Sequence, residues 1–179
     1  GSIAGAASIE SGATLQFDQT IDANHSASIS GAGGLRKTGS GTLSLTGTNT
    51  YLGGTAVFAG TLEANSTAIS GNINVSSGAT MRFNQTSIGS YSGAISGDGN
   101  FEKSGAGTLT MTGTYSLTGE TLLNDGELFF NASDLVSSTK FNLAGGDLTV
   151  SGSGTATIRE LKVSSTSALK LDGVKLNVT

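Results

Sequence analysis

Residues 12–20 read GATLQFDQT, and residues 78–86 read GATMRFNQT, an offset of 66. The offset continues without a gap. Ile29, Ser30, Gly31 and Gly33 fall on Ile95, Ser96, Gly97 and Gly99. Lys37, Gly39 and Gly41 fall on Lys103, Gly105 and Gly107. The run TLSLTGT from Thr42 meets TLTMTGT from Thr108, and Gly53, Thr55, Gly60 and Leu62 meet Gly119, Thr121, Gly126 and Leu128. Of the 51 positions from 12 to 62, 23 are identical at this offset. Chance in a chain rich in glycine, serine and threonine would not hold one register for so long. The fold must therefore be one in which a unit stacks on a copy of itself.

Within the unit, apolar residues come in alternating pairs: Leu15/Phe17, Leu43/Leu45, Met81/Phe83, Leu109/Met111, Leu128/Phe130, Leu148/Val150, Leu169/Leu171 and Leu176/Val178. A period of two marks strands with one buried face. Apolar landmarks recur at near-constant intervals, as at positions 43, 62 and 81 or 109, 128, 148 and 169. That spacing predicts an all-β, right-handed parallel β-helix of about eight turns of roughly 19–22 residues. It also predicts that the 66-residue unit covers three turns of about 22, so that equivalent residues lie three turns apart on one face. A propeller blade is too short for this unit, the LxxLxLxxN pattern of leucine-rich repeats is absent, and a sandwich would not keep an ungapped offset.

Composition agrees. The 179 residues include 28 glycines and no proline, cysteine or tryptophan, with only 12% charged. Without cysteine there is no disulfide scaffold, thiol nucleophile or cysteine zinc site. A net charge of −4 and no basic run argue against nucleic acid as a partner. No apolar stretch approaches the roughly 18 residues of a membrane-spanning helix. Proline-poor, weakly charged, regularly patterned sequence is also unlike a disordered segment.

Residues 31–64, GAGGLRKTGSGTLSLTGTNTYLGGTAVFAGTLEA, resemble the autotransporter-associated β-strand repeat, or passenger-associated transport repeat. Residues 97–130, GDGNFEKSGAGTLTMTGTYSLTGETLLNDGELFF, resemble it too. The shared order is Gly-x-Gly, an apolar residue, Lys, Gly-x-Gly-Thr-Leu, Thr-Gly, Gly-x-Thr and Gly-x-Leu. The second copy departs at one corner, where Asn49, Tyr51 and Gly54 become Tyr115, Leu117 and Glu120. The resemblance implies a piece of a type V autotransporter passenger, a β-helical stalk exported through the protein's own C-terminal outer-membrane β-barrel to the bacterial cell surface. The expected organisation is a single β-helix fragment over residues 1–179. Residues 12–77 and 78–130 are its repeat copies, and residues 131–179 are a diverged continuation. Gly1-Ser2 reads as a cloning scar, and neither a signal peptide nor a barrel is visible, so the sequence reads as an excised part of a longer passenger.

Residues that could carry chemistry are few. Asp18/Asp22 and Asp98/Glu102 are spaced four apart, and Asp125/Glu127 have strand spacing that would place both on one side. Paired carboxylates on a β-helix suit polysaccharide cleavage, but no aromatic platform accompanies them. His25, the one histidine, matches Tyr91 and so reads as a surface or corner position. GDGN at 97–100 is a lone acidic turn without the tandem copies of a calcium roll. Asn24, Asn65, Asn84 and Asn131 open Asn-x-Ser/Thr sequons. Lys37 and Lys103, at equivalent points, read as edge guards or corner braces. No catalytic, cofactor or metal residue is assigned. The expected function is a structural stalk. An adhesin or toxin fragment contacting a host receptor, a host glycan or another passenger is the alternative, and a carbohydrate-active enzyme ranks third.

Overall fold

The computed structural model describes residues 5–135 and 139–179; the Gly1-Ser2 pair lies outside them. The described chain winds as a parallel β-solenoid with three faces, visited in a fixed order. The third face is the most regular, stacking eight strands: Ala23–His25, Thr42–Leu45, Thr61–Ala64, Thr80–Asn84, Asn100–Ser104, Glu120–Leu123, Lys140–Leu143 and Glu160–Val163. The second face stacks six, from Thr14–Asp18 to Tyr115–Leu117. The first face has a two-stranded start, Ala7–Ile9 with Ile29–Gly31, and a five-stranded later part from Gly89–Tyr91 to Leu169–Val178. Between these parts, Thr50 and Leu52 still donate backbone hydrogen bonds to Ile29 and Gly31. About eight turns result, as the spacing of apolar pairs predicts.

Every strand pairing in these sheets is parallel, so each rung is hydrogen-bonded to the rungs before and after it. On the third face Ala23 pairs with Leu43, Leu43 with Leu62, Leu62 with Met81 and Met81 with Phe101. Successive partners are therefore spaced a little more tightly than one third of the repeat. Up to Leu148/Val150 the alternating pairs point into one lumen, where Leu43, Leu62, Met81, Phe101, Leu109 and Leu128 are all buried, whereas on the last strand Leu171 and Val178 are exposed. Each buried side chain contributes roughly 1.5–3 kcal/mol by leaving water. Aromatic rings join rung to rung, with centroids 5.6 Å apart for Phe83–Phe101, 5.5 Å for Phe101–Tyr115 and 4.9 Å for Tyr115–Phe130.

The expectation that residues 66 apart share a face is overturned. Leu43 stacks on the third face, but Leu109 pairs with Gly89 and Leu128 on the first. Leu15 lies on the second face and Met81 on the third. Ile29 lies on the first and Ile95 on the second. Because a turn here is shorter than one third of the repeat, the repeat covers three turns and one further face. Each copy is thus rotated by one face relative to the other. The faces are interchangeable because each asks the same of the chain: a short strand with alternate residues inward, then a tight corner.

Corners explain the glycines that recur at the offset. Gly31 and Gly97 have φ of 102° and 115°. A Cβ there would sit 2.2 Å from the Ile9 carbonyl oxygen and 2.1 Å from that of Val75. Only glycine lets one corner nest against the corner of the preceding rung.

Candidate functional site

Parity along the strands decides where the polar residues go. In Gly34–Thr38, Leu35 points inward, and so does Lys37 two positions on; Phe101 and Lys103 repeat the arrangement. Both lysines are wholly buried. Lys37 Nζ donates to the carbonyl oxygens of Thr38 at 2.9 Å, Gly39 at 2.7 Å and Ala59 at 3.1 Å. Lys103 Nζ donates to Ser104 at 3.0 Å, Gly105 at 2.6 Å and Asp125 at 3.2 Å. These are the same three positions in each copy. The ammonium ties its own corner to the corner one rung later, and its three N–H donors match three carbonyls. The corner-brace reading of the lysines holds, and the edge-guard reading does not. Burial pushes both pKa values below the ordinary lysine range. The charges of Asp18 and Asp22 oppose this at Lys37, as does Asp125 at Lys103.

His25 is a correction. It is buried in the strand Ala23–His25, its ring centroid 5.5 Å from that of Phe17, rather than at a surface or corner. Its counterpart Tyr91 is buried likewise, 5.1 Å from Phe83. The stacked aromatic pair is retained although one ring changes type. The parity shared by Ala23/His25 and Leu43/Leu45 was the signal for burial. At the divergent corner, Tyr51 hydroxyl lies 2.6 Å from Thr55 Oγ1, and Tyr115 hydroxyl lies 2.6 Å from Thr121 Oγ1. Thr55 and Thr121 are equivalent, but the tyrosine has moved by two positions, so the contact survives a different local sequence.

The carboxylates are dispersed and engaged. Asp22 Oδ1 accepts the Thr42 N–H at 2.7 Å, bracing the next rung, while Asp18 is exposed on the second face. Asp98 accepts the Thr118 hydroxyl. Glu102 binds Arg82 at 2.8 Å and Asn124 at 2.7 Å. Asp125 and Glu127 do not occupy alternate positions of one strand: Gly126, with φ of 66°, turns the chain between them. Asp125 accepts the Gly126 N–H, whereas Glu127 receives Thr108 and Thr149 and lies 3.7 Å from Lys170. Among the described residues no group of three acidic or histidine side chains could hold a metal ion. The GDGN segment is a corner in which Asn100 Oδ1 accepts the Glu120 N–H. Of the sequon asparagines, Asn24 accepts the Thr46 hydroxyl, Asn65 closes its own turn onto Thr67 and Ala68, Asn84 is exposed, and Asn131 donates to Asp134.

Outward columns on the third face form a charged ladder, Ser44–Glu63–Arg82–Glu102–Asn124, in which each member touches the next. These side chains are part-exposed, so each ion pair is worth under about 1 kcal/mol. The arrangement can order rungs and present polar stripes along the rod.

The passenger-associated-transport-repeat family model matches the chain twice, over residues 35–64 and 101–128. The chain is 39% identical to the "Adhesin BmaC autotransporter" of Brucella suis biovar 1 (strain 1330), across 65% of this chain and 4% of that protein. No solved structure matches it. The matched segments contain both lysine corners, so each matched copy of the passenger-associated transport repeat is built around a buried lysine.

Proposed function

We propose that this repeat-bearing passenger segment is a structural stalk, a β-solenoid that holds other parts of a secreted autotransporter away from the bacterial surface and assists their export. The observation that supports it most is the rung-to-rung pairing on three faces. Each rung presents to the next a finished template of backbone donors and acceptors, an apolar column and a braced corner. Folding can then proceed one turn at a time outside the cell, and each completed turn opposes backsliding through the barrel. Absence of proline keeps slow isomerisation out of that process. Residues 12–77 and 78–130 act as two copies of one stacking unit, and residues 131–179 extend the same stalk. The full protein's own C-terminal outer-membrane β-barrel is its partner in export. We take the segment as non-enzymatic, because Asp22, Asp98, Glu102 and Glu127 brace corners and ladders.

The test is surface display of the full passenger carrying Leu109→Asp or Thr110→Asp. Leu109 is wholly buried and Thr110, beside it on the same strand, points outward. Truncating a core side chain costs roughly 2–5 kcal/mol, and an unpaired buried charge costs more. Leu109→Asp should abolish display and lower the melting temperature, while Thr110→Asp should do neither. Equal display of the two overturns the stalk role. A contribution to adhesion is the second reading, favoured by the relative's printed name; beads coated with this segment should then adhere to host cells or to one another.

A further inference from the structure

We propose that a trough on the second face, around Arg36 and Phe58, binds a carboxylate-bearing sugar of an acidic saccharide. The trough has an open volume of about 450 Å³. Its floor is bare backbone, because Gly34, Gly53 and Gly54 meet there. A Cβ on Gly53 would lie 2.5 Å from the Gly33 carbonyl carbon, and one on Gly34 would lie 3.0 Å from the Gly53 oxygen. Arg36 Cζ sits 4.2 Å from the centroid of the Phe58 ring, which is 45% exposed. Asn72 and Asn74 form the opposite wall. Asn72 Oδ1 accepts the Ala94 N–H at 3.0 Å, which leaves its amide N–H groups as donors.

Charge points to the ligand. The protein carries a net charge of −4, yet the trough lining contains one cation and no acid. Among the described residues no carboxylate forms an ion pair with Arg36, whereas Arg82 is held by Glu63 and Glu102. A guanidinium fixed on an aromatic ring, with its fork of donors unclaimed, matches a carboxylate. The flat floor suits the C–H face of a pyranose, and the Asn72 carboxamide suits its hydroxyls, while Asn74 Nδ2 donates to Ser96 Oγ. A peptide fits less well. The floor's backbone is already used within the solenoid, with Leu35 N–H on Gly54, Gly53 N–H on Gly33 and Thr55 N–H on Asn72, so it offers no strand edge to an added chain.

The second repeat copy supplies an internal comparison. At the equivalent points Gly34 becomes Asn100, Arg36 becomes Glu102, Gly54 becomes Glu120 and Phe58 becomes Asn124. There the floor carries side chains, and they are engaged: Asn100 Oδ1 accepts the Glu120 N–H, and Asn124 donates to Glu102. A hollow of about 340 Å³ therefore recurs in the second copy, but it is lined by Glu120, Lys140, Glu160 and Lys162, and the Arg36–Phe58 pair with its acid-free lining belongs to the first copy. That pair is a further property beyond the stalk role, which does not need Arg36.

Calorimetric titration of the segment with sialyllactose, trigalacturonate, lactose and hexaglutamate tests the site. Saturable binding of at least one acidic saccharide, and none of lactose, is expected. Arg36→Gln and Phe58→Ala should each weaken it by about 10-fold or more, the scale of one charge-assisted contact. Arg82→Gln, outside the trough, should leave it unchanged, and thermal melts establish that each variant is folded. No saturable binding of either acidic saccharide overturns the proposal, as does undiminished binding by both folded trough variants. Hexaglutamate bound as tightly and with the same sensitivity also overturns it, in favour of an acidic peptide.

Discussion

A lysine is an expensive residue to bury, and this solenoid buries two in equivalent corners. The cost is contained because each ammonium finds three carbonyls; Ser104 O also accepts the Gln85 N–H, but among the described residues the corner carbonyls of Gly105 and Asp125 have no other donor. Lys103→Met keeps most of the stem and removes the desolvation cost, but it leaves two acceptors short, the Gly105 and Asp125 carbonyls. Each unsatisfied buried group costs about 1–3 kcal/mol, so the loss should exceed the relief. Urea titration should show Lys103→Met less stable by about 2 kcal/mol or more. Lys37→Met should cost a similar amount, and the two should add, since the corners share no partner. An unchanged midpoint for Lys103→Met would mean that the carbonyls are satisfied without it. The inward position of both lysines was legible from parity with Leu35 and Phe101; their three partners were not, because two come from the following corner residues and one from the next rung.

Strands and corners place different demands on the chain. A strand needs alternation and tolerates exchange, as Leu45 for Met111 and Leu35 for Phe101 show. A corner needs a particular backbone, and nesting makes some corners stricter than others. Gly97 combines φ of 115° with a blocked Cβ position, 2.1 Å from the Val75 oxygen. Gly78 has φ of 81° but open space around it. Gly78→Ala should therefore cost only the left-handed conformation, about 1–2 kcal/mol. Gly97→Ala should cost more, because the Ile95–Gly97 strand must separate from Ile73–Val75, and thermal melts of the two variants should rank them so. Equal melting temperatures would mean that the corners are not nested as described. At this scale the sequence was most readable: strands, glycine corners and the apolar column follow from local pattern alone. The sequence did not reveal that Tyr115 inherits the threonine contact of Tyr51, since that pairing is recovered across a corner by a residue displaced in sequence.

Along the whole rod, three buried tyrosines set the response to alkali. Burial holds Tyr91 and Tyr115 well above the ordinary tyrosine pKa of 10.0, and raises Tyr51 as well. A raised folded pKa gives stability that is fully present below pH 10 and is lost as pH rises through the folded value. Lys37 and Lys103 act oppositely: their folded pKa values lie below 10.5, so stability rises with pH between those values and 10.5. Above about pH 10.5 only the tyrosine contribution remains, and stability should fall steeply. Tyr115→Phe should flatten that limb in thermal melts taken between pH 8 and 12, even though it forfeits the Thr121 contact; an alkaline limb parallel to the wild type would refute the assignment. The sequence by itself determined that the chain is a stack of strand-and-corner units with one apolar column and about eight turns, because each unit is specified by residues adjacent in the chain. Only the tertiary structure decided which units share a face. A turn closes when the corners have rotated the chain once around, and that depends on small gains or losses of length at each corner. A turn slightly shorter than one third of the repeat carries the repeat past three turns onto the neighbouring face. The same closure brings Arg36 beside Phe58 and sets three glycines together as the floor beneath them, a juxtaposition created by stacking rungs and not by any contiguous motif.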